Sequence, residues 1–278
     1  MCLCLVVKVV DRVASLHVTK KHVRRACNIE FLTASSSIDK GVPTGETFED
    51  YGVKKRVKRI KGVWKNNQGF ILDLGCGYGA YTKVFAEDAI LAVGLDVERN
   101  FLKRAKEKNS GDNIEFILAS GDFLPFTDEA FNSVFLIETL EHVLNDEKVL
   151  REVHRVLCYN GEVIITVPNK LFPFETHSIR LGSKVIEPPI PFFSWFPNRI
   201  RRKHERARVY APNSLAKSLM KHFAIRQINY IPPLLEGPPF PKDGYWLTVI
   251  RNIVEKLFSK TPFKYLSMSI LVVAQKKK

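Results

Sequence analysis

A glycine-rich stretch holds the residues whose types and spacing best suit ligand chemistry. Phe70 to Leu74 is a short apolar run with one acid, Asp73, and it predicts a buried parallel strand. Three glycines follow at alternate positions, Gly75, Gly77 and Gly79, before a helical pattern begins. Because glycine has no Cβ, backbone N–H groups in such a strand–turn–helix can face a ligand directly. The stretch therefore predicts a binding loop.

The glycine spacing separates this loop from two common nucleotide loops. A dinucleotide-binding loop has the pattern G-x-G-x-x-G, and here the third glycine comes one position too early. A phosphate loop ends in Gly-Lys-Ser/Thr, which this sequence lacks. The remaining alternative, judged on the loop alone, is an ordinary tight turn between a strand and a helix.

A second acid follows the glycines at a distance typical of nucleoside-binding folds. Ile90 to Val97 predicts another buried strand, which ends in Asp96. A carboxylate at the tip of the second strand can accept hydrogen bonds from both hydroxyls of a ribose. Proteins that bind NAD share this feature, so Asp96 indicates a nucleoside without identifying it. The alternative role for Asp96 is to cap the next helix.

Three stretches together resemble the class I S-adenosylmethionine-dependent methyltransferases, and within them the type 11 branch. D-L-G-C-G-Y-G, from Asp73, matches the motif [DE]-x-G-x-G-x-G. L-P-F-T-D-E-A-F-N-S-V, from Leu124, resembles the signature L-P-F-x-D-x-x-F-D-x-V, with Asn132 in place of an Asp. R-V-L-C-Y-N-G, from Arg155, resembles R-V-L-[KR]-P-G-G. The resemblance covers about residues 69–167.

The resemblance implies S-adenosyl-L-methionine as the cofactor and suggests which residues contact it. Asp122 would accept a hydrogen bond from the adenine amino group, and Phe123 would pack on the adenine ring. The full set of predicted cofactor contacts is Asp73, Gly75, Cys76, Gly77, Gly79, Asp96, Val97, Asp122, Phe123 and Glu138.

The L-E-H segment after the fourth predicted strand supplies candidates for the catalytic side. The type 11 branch has a similar L-E-H beside the methyl group of the cofactor, so Glu141 and His142 are predicted to face the acceptor. His177 belongs to an E-x-H feature that resembles one in the same branch. His142 or His177 would act as a base only where the acceptor must lose a proton. The alternative is that His142 merely caps a strand end.

Seven strand signals with intervening helices predict an α/β fold, a doubly wound, mostly parallel sheet. The resemblance implies a Rossmann-like methyltransferase fold whose last strand lies antiparallel between the fifth and sixth. We predict an N-terminal extension over residues 1–40 and a methyltransferase domain over 41–278. Helices are predicted near Tyr81–Asp88, Phe101–Lys108, Asn145–Cys158, Ser214–His222 and Tyr245–Phe258, with a turn at Tyr159–Gly161.

An insertion at about residues 168–212 is predicted to cap the acceptor. Its first part is aromatic and broken by prolines, which does not suit a regular core element. Ile200 to Tyr210 is strongly basic. An aromatic and cationic segment suits an amphiphilic acceptor or contact with a membrane surface. The alternative is that it only packs on the domain while its basic residues remain solvated.

Composition and charge limit the broad class of protein. The sequence has 278 residues and a net charge of +14, which suggests an anionic partner or a habit of the source organism. A basic amphipathic helix is predicted within residues 41–69, its cationic face solvated or bound to nucleic acid. Five scattered cysteines without a C-x-x-C pair favour a reducing cytoplasm, with no disulfide framework and no metal site. The apolar start is a poor signal peptide.

Three hypotheses for function follow from these features. The favoured one is methyl transfer to a small-molecule or lipid-like acceptor. The second is an RNA or protein methyltransferase that uses the basic surface. It is weakened because the sequence lacks the [DN]-P-P-[YF] box of base amino methylation and the Pro-Cys pair of pyrimidine C5 methylation. The third is a non-catalytic cofactor-binding module.

Overall fold

The computed structural model describes residues 50–65, 69–234 and 245–277. The predicted extension over residues 1–40 lies outside this range. The helices are α1 Tyr51–Lys61, α2 Ala80–Ala86, α3 Arg99–Lys108, α4 Asp146–Val156, α5 Asn198–Arg201, α6 Pro212–Leu219 and α7 Tyr245–Lys260. The strands are β1 Phe70–Leu74, β2 Leu91–Asp96, β3 Ile114–Leu118, β4 Phe131–Ile137, β5 Leu157–Pro168, β6 Phe174–Glu175, β7 Ile179–Leu181, β8 Lys184–Ile186, β9 Ile190–Pro191, β10 Phe223–Ile231 and β11 Ser269–Lys276.

A seven-stranded sheet in the order β3-β2-β1-β4-β5-β11-β10 forms the centre of the fold. The five strands from β3 to β5 pair in parallel, and β11 pairs antiparallel with both β5 and β10. This confirms the predicted doubly wound, mostly parallel sheet and the antiparallel position of the last strand. The carboxyl ends of β1, β2, β3 and β4 therefore lie along one edge, where ligands bind in open α/β sheets.

Buried apolar side chains cover both faces of the sheet. One cluster joins α1, α2 and α3 to the sheet, and the other joins α4 and α6 to it. Helix α4 shows why the sequence folds this way: Asn145 caps its N-terminus by accepting from the Lys148 N–H, and Val149, Leu150 and Val153 are fully buried on one face. The sheet strands read as continuous apolar runs because both of their faces are covered.

The region after α4 differs from the prediction. The helix predicted to reach Cys158 ends at Val156, and the predicted turn Tyr159–Gly161 lies inside β5. Strand β5 pairs with β4 from its first residue, and the register shifts beside this region, so the three residues form a bulge with Asn160 at φ 62°. Strand pairing thus overrides the local turn signal.

Residues 169–211, here called the flap, connect β5 to α6. The flap contains two small antiparallel pairs, β6 with β9 and β7 with β8, both separate from the main sheet. The sequence prediction of no regular core element is compatible with these short pairs. Among the described residues no helix combines the length and apolar character that crossing a membrane requires.

Arg155 on α4 explains the sequence spacing of two family-like stretches. Its guanidinium donates to the Leu124 and Phe126 carbonyls and to Asp128, at 3.0, 2.8 and 2.9 Å. Glu152 accepts from the Leu124 N–H at 2.8 Å and from Arg155. The L-P-F-T-D stretch is therefore fastened to the helix that carries R-V-L. At Asn132 the carboxamide oxygen accepts from the Phe70 N–H at 2.8 Å, as the usual Asp oxygen would.

Candidate active site

The glycine loop is held in shape by its own backbone. The Gly75 and Cys76 N–H groups donate to the Leu95 carbonyl at 2.7 and 3.0 Å, which ties the loop to β2. Gly75, Gly77 and Gly79 have φ values of 78°, 53° and 78°. This left-handed region favours glycine, so the alternate glycines are a conformational requirement.

Two of these glycines also allow close packing of neighbouring side chains. A Cβ on Gly75 would lie 2.4 Å from Thr139 Cγ2, at the end of β4. A Cβ on Gly79 would lie 2.6 Å from the Phe116 ring on β3. The loop therefore packs against Thr139 just after β4 and against Phe116 in the middle of β3, and a side chain at Gly75 or Gly79 would push it out of place.

Asp73 lies under the loop. It is 1% exposed, and its carboxylate accepts from the Thr82 hydroxyl of α2 at 2.6 Å. Burial raises the pKa of Asp73 to about 7; the Asp96 charge raises it further and the Thr82 hydrogen bond opposes the shift. This carboxylate links β1 to α2, and its predicted direct contact with the cofactor stays a prediction.

Asp96 fixes the loop from the tip of β2. Its two carboxylate oxygens accept from the Gly77 N–H at 2.9 Å and from the Glu98 N–H at 2.8 Å. Helix α3 begins at Arg99 with Glu98 as its N-cap, so Asp96 lies two residues before the cap position. Each oxygen still has acceptor capacity for a ribose hydroxyl. Burial raises the pKa of Asp96, and the backbone N–H groups oppose this.

Asp122 and Phe123 lie beyond the end of β3, as the resemblance implies. The Lys148 ammonium of α4 sits over the Phe123 ring, 3.5 Å from its centre. Burial raises the pKa of Asp122, while the Lys148 charge lowers it and Glu152 raises it. No local sequence signal connects Lys148 with this pair, because the contact depends on how α4 packs. The remaining predicted contacts are Cys76, which is buried, and Val97, which is exposed.

Glu138 and Glu141 lie on the turn that follows β4. Glu138 has φ 51°, a strained value for a residue with a side chain, and its N–H donates to the Thr166 carbonyl and hydroxyl of β5, both at 3.0 Å. Glu141 lies in the short 3-10 helix Leu140–His142 and is 2% exposed. Its pKa is raised well above the ordinary value, chiefly by burial and next by Glu138.

His142 and His177 meet across the site. Their rings lie 5.4 Å apart, centre to centre, at 74°. Burial lowers the pKa of His142 to about 4, and the charges of His177 and Arg208 act in the same direction. The ring is therefore neutral at physiological pH. Ligand atoms of Glu141, His142 and His177 all lie within 4.8 Å of one another, so the three predicted catalytic residues form one cluster.

Glu175 holds His177 in this cluster. Its Oε1 accepts from the His177 and Thr176 N–H groups at 3.2 and 3.1 Å, and its Oε2 accepts from the Ser194 hydroxyl at 3.2 Å. Glu175 itself is 2% exposed. The E-x-H feature is thus a local structure in which the acid fixes the backbone of the histidine.

Two flap residues that the sequence reasoning missed fasten the turn after β4. Arg208 donates to the Leu140 and Val143 carbonyls at 2.8 and 2.6 Å and pairs with Asp146 at 2.5 Å. The Tyr210 hydroxyl donates to Asp146 Oδ2, 2.8 Å away, and lies 3.0 Å from the Leu140 carbonyl. In the sequence both residues belong to the strongly basic run Ile200–Tyr210, which was predicted to contact the acceptor or a membrane surface, with a solvated surface as the alternative. Here that run holds the candidate active site together.

The predicted solvated face of α1 is also wrong at one position. Arg56 is buried, at 5% exposure, and its charge acts to lower the pKa of Glu141. Lys55 and Arg59 pair with Glu255 of α7 at 2.6 and 3.3 Å. Basic side chains of α1 are thus used in packing, which a helical charge pattern alone does not reveal.

The comparisons with known proteins agree with this geometry. Residues 72–165, from β1 through the core of β5, match the family model of the type 11 methyltransferase domain. Residues 72–165 therefore form a methyltransferase domain of the type 11 family, and the fold around it is that of S-adenosylmethionine-dependent methyltransferases. The match includes the glycine loop, Asp96, Asp122 and the L-E-H segment, and S-adenosyl-L-methionine is the cofactor of this family.

Individual relatives of this methyltransferase domain are similar over part of their length. The uncharacterized protein MJ0638 of Methanocaldococcus jannaschii is 35% identical over 44% of this chain and 52% of its own. The demethylmenaquinone methyltransferase of Lactobacillus johnsonii is 34% identical over 51% of this chain and 58% of its own. The chain thus spans about half the length of these relatives. The fold resembles the S-adenosylmethionine-dependent methyltransferase from Mesorhizobium loti, with TM-score 0.59 and 18% identity over 81% of this chain and 100% of that one.

Proposed function

We propose that the protein transfers the methyl group of S-adenosylmethionine to a small-molecule or lipid-like acceptor. The observation that carries the proposal is the arrangement along one edge of the sheet. The glycine loop and Asp96 follow β1 and β2, and the Glu141–His142–His177 cluster adjoins the end of β4. A cofactor bound by the first group would direct its methyl group toward the second.

Methyl transfer requires mainly that the donor and the acceptor are aligned. The sulfonium already activates the methyl group, so the protein must hold donor and acceptor in line and exclude competing water. Asp96 would bind the ribose hydroxyls, and Asp122 and Phe123 the adenine. The glycine loop would let the remainder of the cofactor approach closely, because its glycines lack a Cβ; its N–H groups are already bonded within the fold. Glu141, His142 and His177 would face the acceptor.

The flap supports an acceptor of the small, partly apolar kind. It carries His177 to His142, so it borders the site, and several of its aromatic side chains are about half exposed: Phe174, Phe192, Trp195 and Phe196. Large exposed apolar groups beside a site are typical of ligand-binding surfaces. The similarity to a demethylmenaquinone methyltransferase supports the same class of acceptor.

A nucleic-acid acceptor is less favoured because the fold uses many of its basic side chains internally. Lys55, Lys61, Arg155, Arg201 and Arg208 each form an ion pair with an acid of the same chain. Charge committed to such pairs is less available to release counterions from phosphates. The net charge alone therefore gives weak support to an RNA acceptor.

The direct test follows labelled methyl groups. The full chain is incubated with S-adenosylmethionine carrying a labelled methyl and an extract of the source organism, which is then divided into RNA, protein and organic-soluble fractions. We expect label in the organic-soluble or small-molecule fraction. Label confined to RNA or protein would overturn the proposed acceptor class, and cofactor binding without any label would contradict the proposed activity.

A pair of histidine variants tests the assignment of the acceptor side. His142→Ala is expected to lower turnover while cofactor affinity stays within about twofold. The matched control is His154→Ala, since His154 lies on α4 against Phe223. A fully active His142→Ala enzyme would remove His142 from the site.

A further inference from the structure

The acceptor-side cluster combines residue types that bind metal ions. Glu141 and His142 come from the turn after β4, and His177 comes from the flap, and their ligand atoms lie within 4.8 Å of one another. Ligands at about 2.1 Å from an ion lie about 3 to 4.2 Å apart. A small side-chain rotation would bring the three atoms into that range.

The same cluster leaves buried polar atoms without a partner. Both carboxylate oxygens of Glu141 are buried and accept no hydrogen bond. Glu138 Oε1 is also buried and accepts no hydrogen bond. His142 Nδ1 is likewise buried without a partner. A buried polar atom without a partner costs about 1–3 kcal/mol, and more when it is charged. Four such atoms on three neighbouring residues indicate that the site is built to receive something.

The arginine that fastens this turn, Arg208, does not fill this need. Arg208 gives its hydrogen bonds to the Leu140 and Val143 carbonyls, and its ion pair is with Asp146. None of these bonds of Arg208 reaches Glu138 or Glu141.

We propose that Glu141, His142 and His177 bind a divalent transition-metal ion, with Glu138 as a further carboxylate ligand. The donor set decides the class of ion. Imidazole and carboxylate together suit Mn²⁺, Fe²⁺, Co²⁺ or Zn²⁺. Mg²⁺ and Ca²⁺ prefer oxygen ligands alone, and softer ions prefer the thiolate ligands of cysteine.

The surroundings of the cluster support a fixed site. Glu175 holds the His177 backbone through two N–H groups, and Ser194 holds Glu175 in turn. The His177 Nδ1 also lies 3.5 Å from Glu175 Oε1. Outer partners of this kind orient metal-binding histidines. An ion here would also join the flap to the turn after β4.

The role of the ion rests on the proposed function, because the ion would act on the methyl acceptor. Three or four protein ligands leave positions open for an acceptor hydroxyl, whose pKa the ion would lower. The hydroxyl proton passes to solvent, and the oxygen lone pair forms the new bond to the methyl carbon. The bond from that carbon to sulfur breaks, and its electron pair stays on sulfur as the sulfonium becomes a thioether. An oxygen acceptor is thereby favoured.

Metal binding is measured directly, without methyl transfer. The full chain is stripped with EDTA, dialysed, and titrated with Co²⁺, Mn²⁺, Zn²⁺ and Mg²⁺ by calorimetry, with Co²⁺ also followed by visible absorption. We expect one transition-metal ion per chain, Co²⁺ bands typical of nitrogen and oxygen ligands, and much weaker Mg²⁺ binding. A stripped chain that binds none of these ions would overturn the inference.

Variants decide whether the ion occupies this cluster. Glu141→Gln and His177→Ala are expected to weaken Co²⁺ binding by about 100-fold, with Glu187→Gln and His154→Ala as matched controls. Because His177 lies on the flap outside the main sheet, ion binding can be measured in His177→Ala even where Glu141→Gln fails to fold. Ion binding unchanged in His177→Ala would contradict the assignment. Ion binding without any methyl transfer would leave the metal site standing and remove the proposed function, and methyl transfer by a chain that binds no ion would do the reverse.

Discussion

The proposed cofactor side and the proposed acceptor side of the site differ in how their polar groups are satisfied. On the cofactor side the backbone N–H groups of Gly75, Cys76 and Gly77 each have an acceptor, supplied by Leu95 or Asp96 of β2. On the acceptor side Glu138, Glu141 and His142 leave buried atoms without a partner. The first half has its shape before a ligand arrives, whereas the second half holds polar groups that a ligand would satisfy.

This difference follows from where the two halves come from in the chain. The loop and Asp96 belong to consecutive strand–turn units, whose hydrogen bonds form as the parallel sheet forms. The acceptor side combines the turn after β4 with the flap, and its side chains meet only when the flap is fastened by Arg208 and Glu175. Changes on the cofactor side should therefore affect folding and cofactor affinity, and changes on the acceptor side should affect turnover.

The largest effect is expected at Asp73, the buried acid beneath the glycine loop, and it concerns the free energy of unfolding. Its raised pKa means that the folded chain holds a proton that the unfolded chain releases between pH 3.8 and about 7. Stability should therefore fall as the pH rises through this range, by up to about 1.4 kcal/mol per pH unit or about 4 kcal/mol in total. Asp73→Asn removes this titration. Urea unfolding of both chains at several pH values measures the difference, and parallel curves would contradict the prediction.

Gly79→Ala should have the second largest effect on stability, because it adds backbone strain and a steric clash. The left-handed φ costs about 1–2 kcal/mol for alanine, and contact with the Phe116 ring adds about 1–3 kcal/mol. We expect about 3 kcal/mol of destabilisation and strongly weakened cofactor binding, measured by thermal unfolding and calorimetry.

Gly182→Ala is the matched control for Gly79→Ala. Gly182 has φ 60°, and nothing lies within 4 Å of the position that a Cβ would take. It should lose only the conformational part, about 1 kcal/mol, and should keep cofactor affinity. Equal losses in both variants would show that packing against Phe116 contributes nothing.

Arg208→Met tests whether the flap positions the acceptor side. Loss of hydrogen bonds to two carbonyls and of the Asp146 ion pair should let the Leu140–His142 turn move. We expect kcat to fall about 30-fold, equivalent to about 2 kcal/mol, with cofactor Kd within about twofold. The control is Arg226→Met on exposed β10. Equal loss of cofactor affinity and kcat would contradict a role confined to the acceptor side.

Asp96→Asn should have the smallest effect among the variants at Asp73, Gly79, Arg208 and Asp96. The quantity that it changes is cofactor affinity. An amide can accept from only one of the Gly77 and Glu98 N–H groups, and its NH₂ group would face the other. We expect about 10-fold weaker binding, equivalent to about 1.4 kcal/mol. Asp112→Asn, at an exposed position, is the matched control. Calorimetric titration with the cofactor distinguishes them, and unchanged affinity would remove Asp96 from the ribose site.

The sheet was predictable because its signals are local. Phe70–Leu74 is a strand with the predicted ends, and the other core strands differ from prediction mainly at their ends. Glycines at alternate positions predicted the left-handed loop because few other residues adopt those angles. The turn at Tyr159–Gly161 was wrong because pairing of β5 with β4 determines that conformation.

The residues proposed for the acceptor side could be named from the sequence, and their role there stays a prediction, but their geometry could not be derived from it. Glu141, His142 and His177 were named from short sequence patterns, yet their convergence depends on the path of the flap. Arg208 and Tyr210 gave no signal, since a basic run looks alike whether it is solvated or bonded to backbone carbonyls. Arg56 and Lys148 were missed for the same reason.

The sequence by itself determined the succession of strands along the chain, the glycine loop and the family-like acids that follow the strands, because each depends on neighbouring residues and on the periodicity of apolar side chains. Only the tertiary structure decided which of those acids are buried, which arginines hold the turn after β4, and that two histidines 35 positions apart face each other. Burial and convergence are properties of packing between distant segments, and a linear pattern does not contain them.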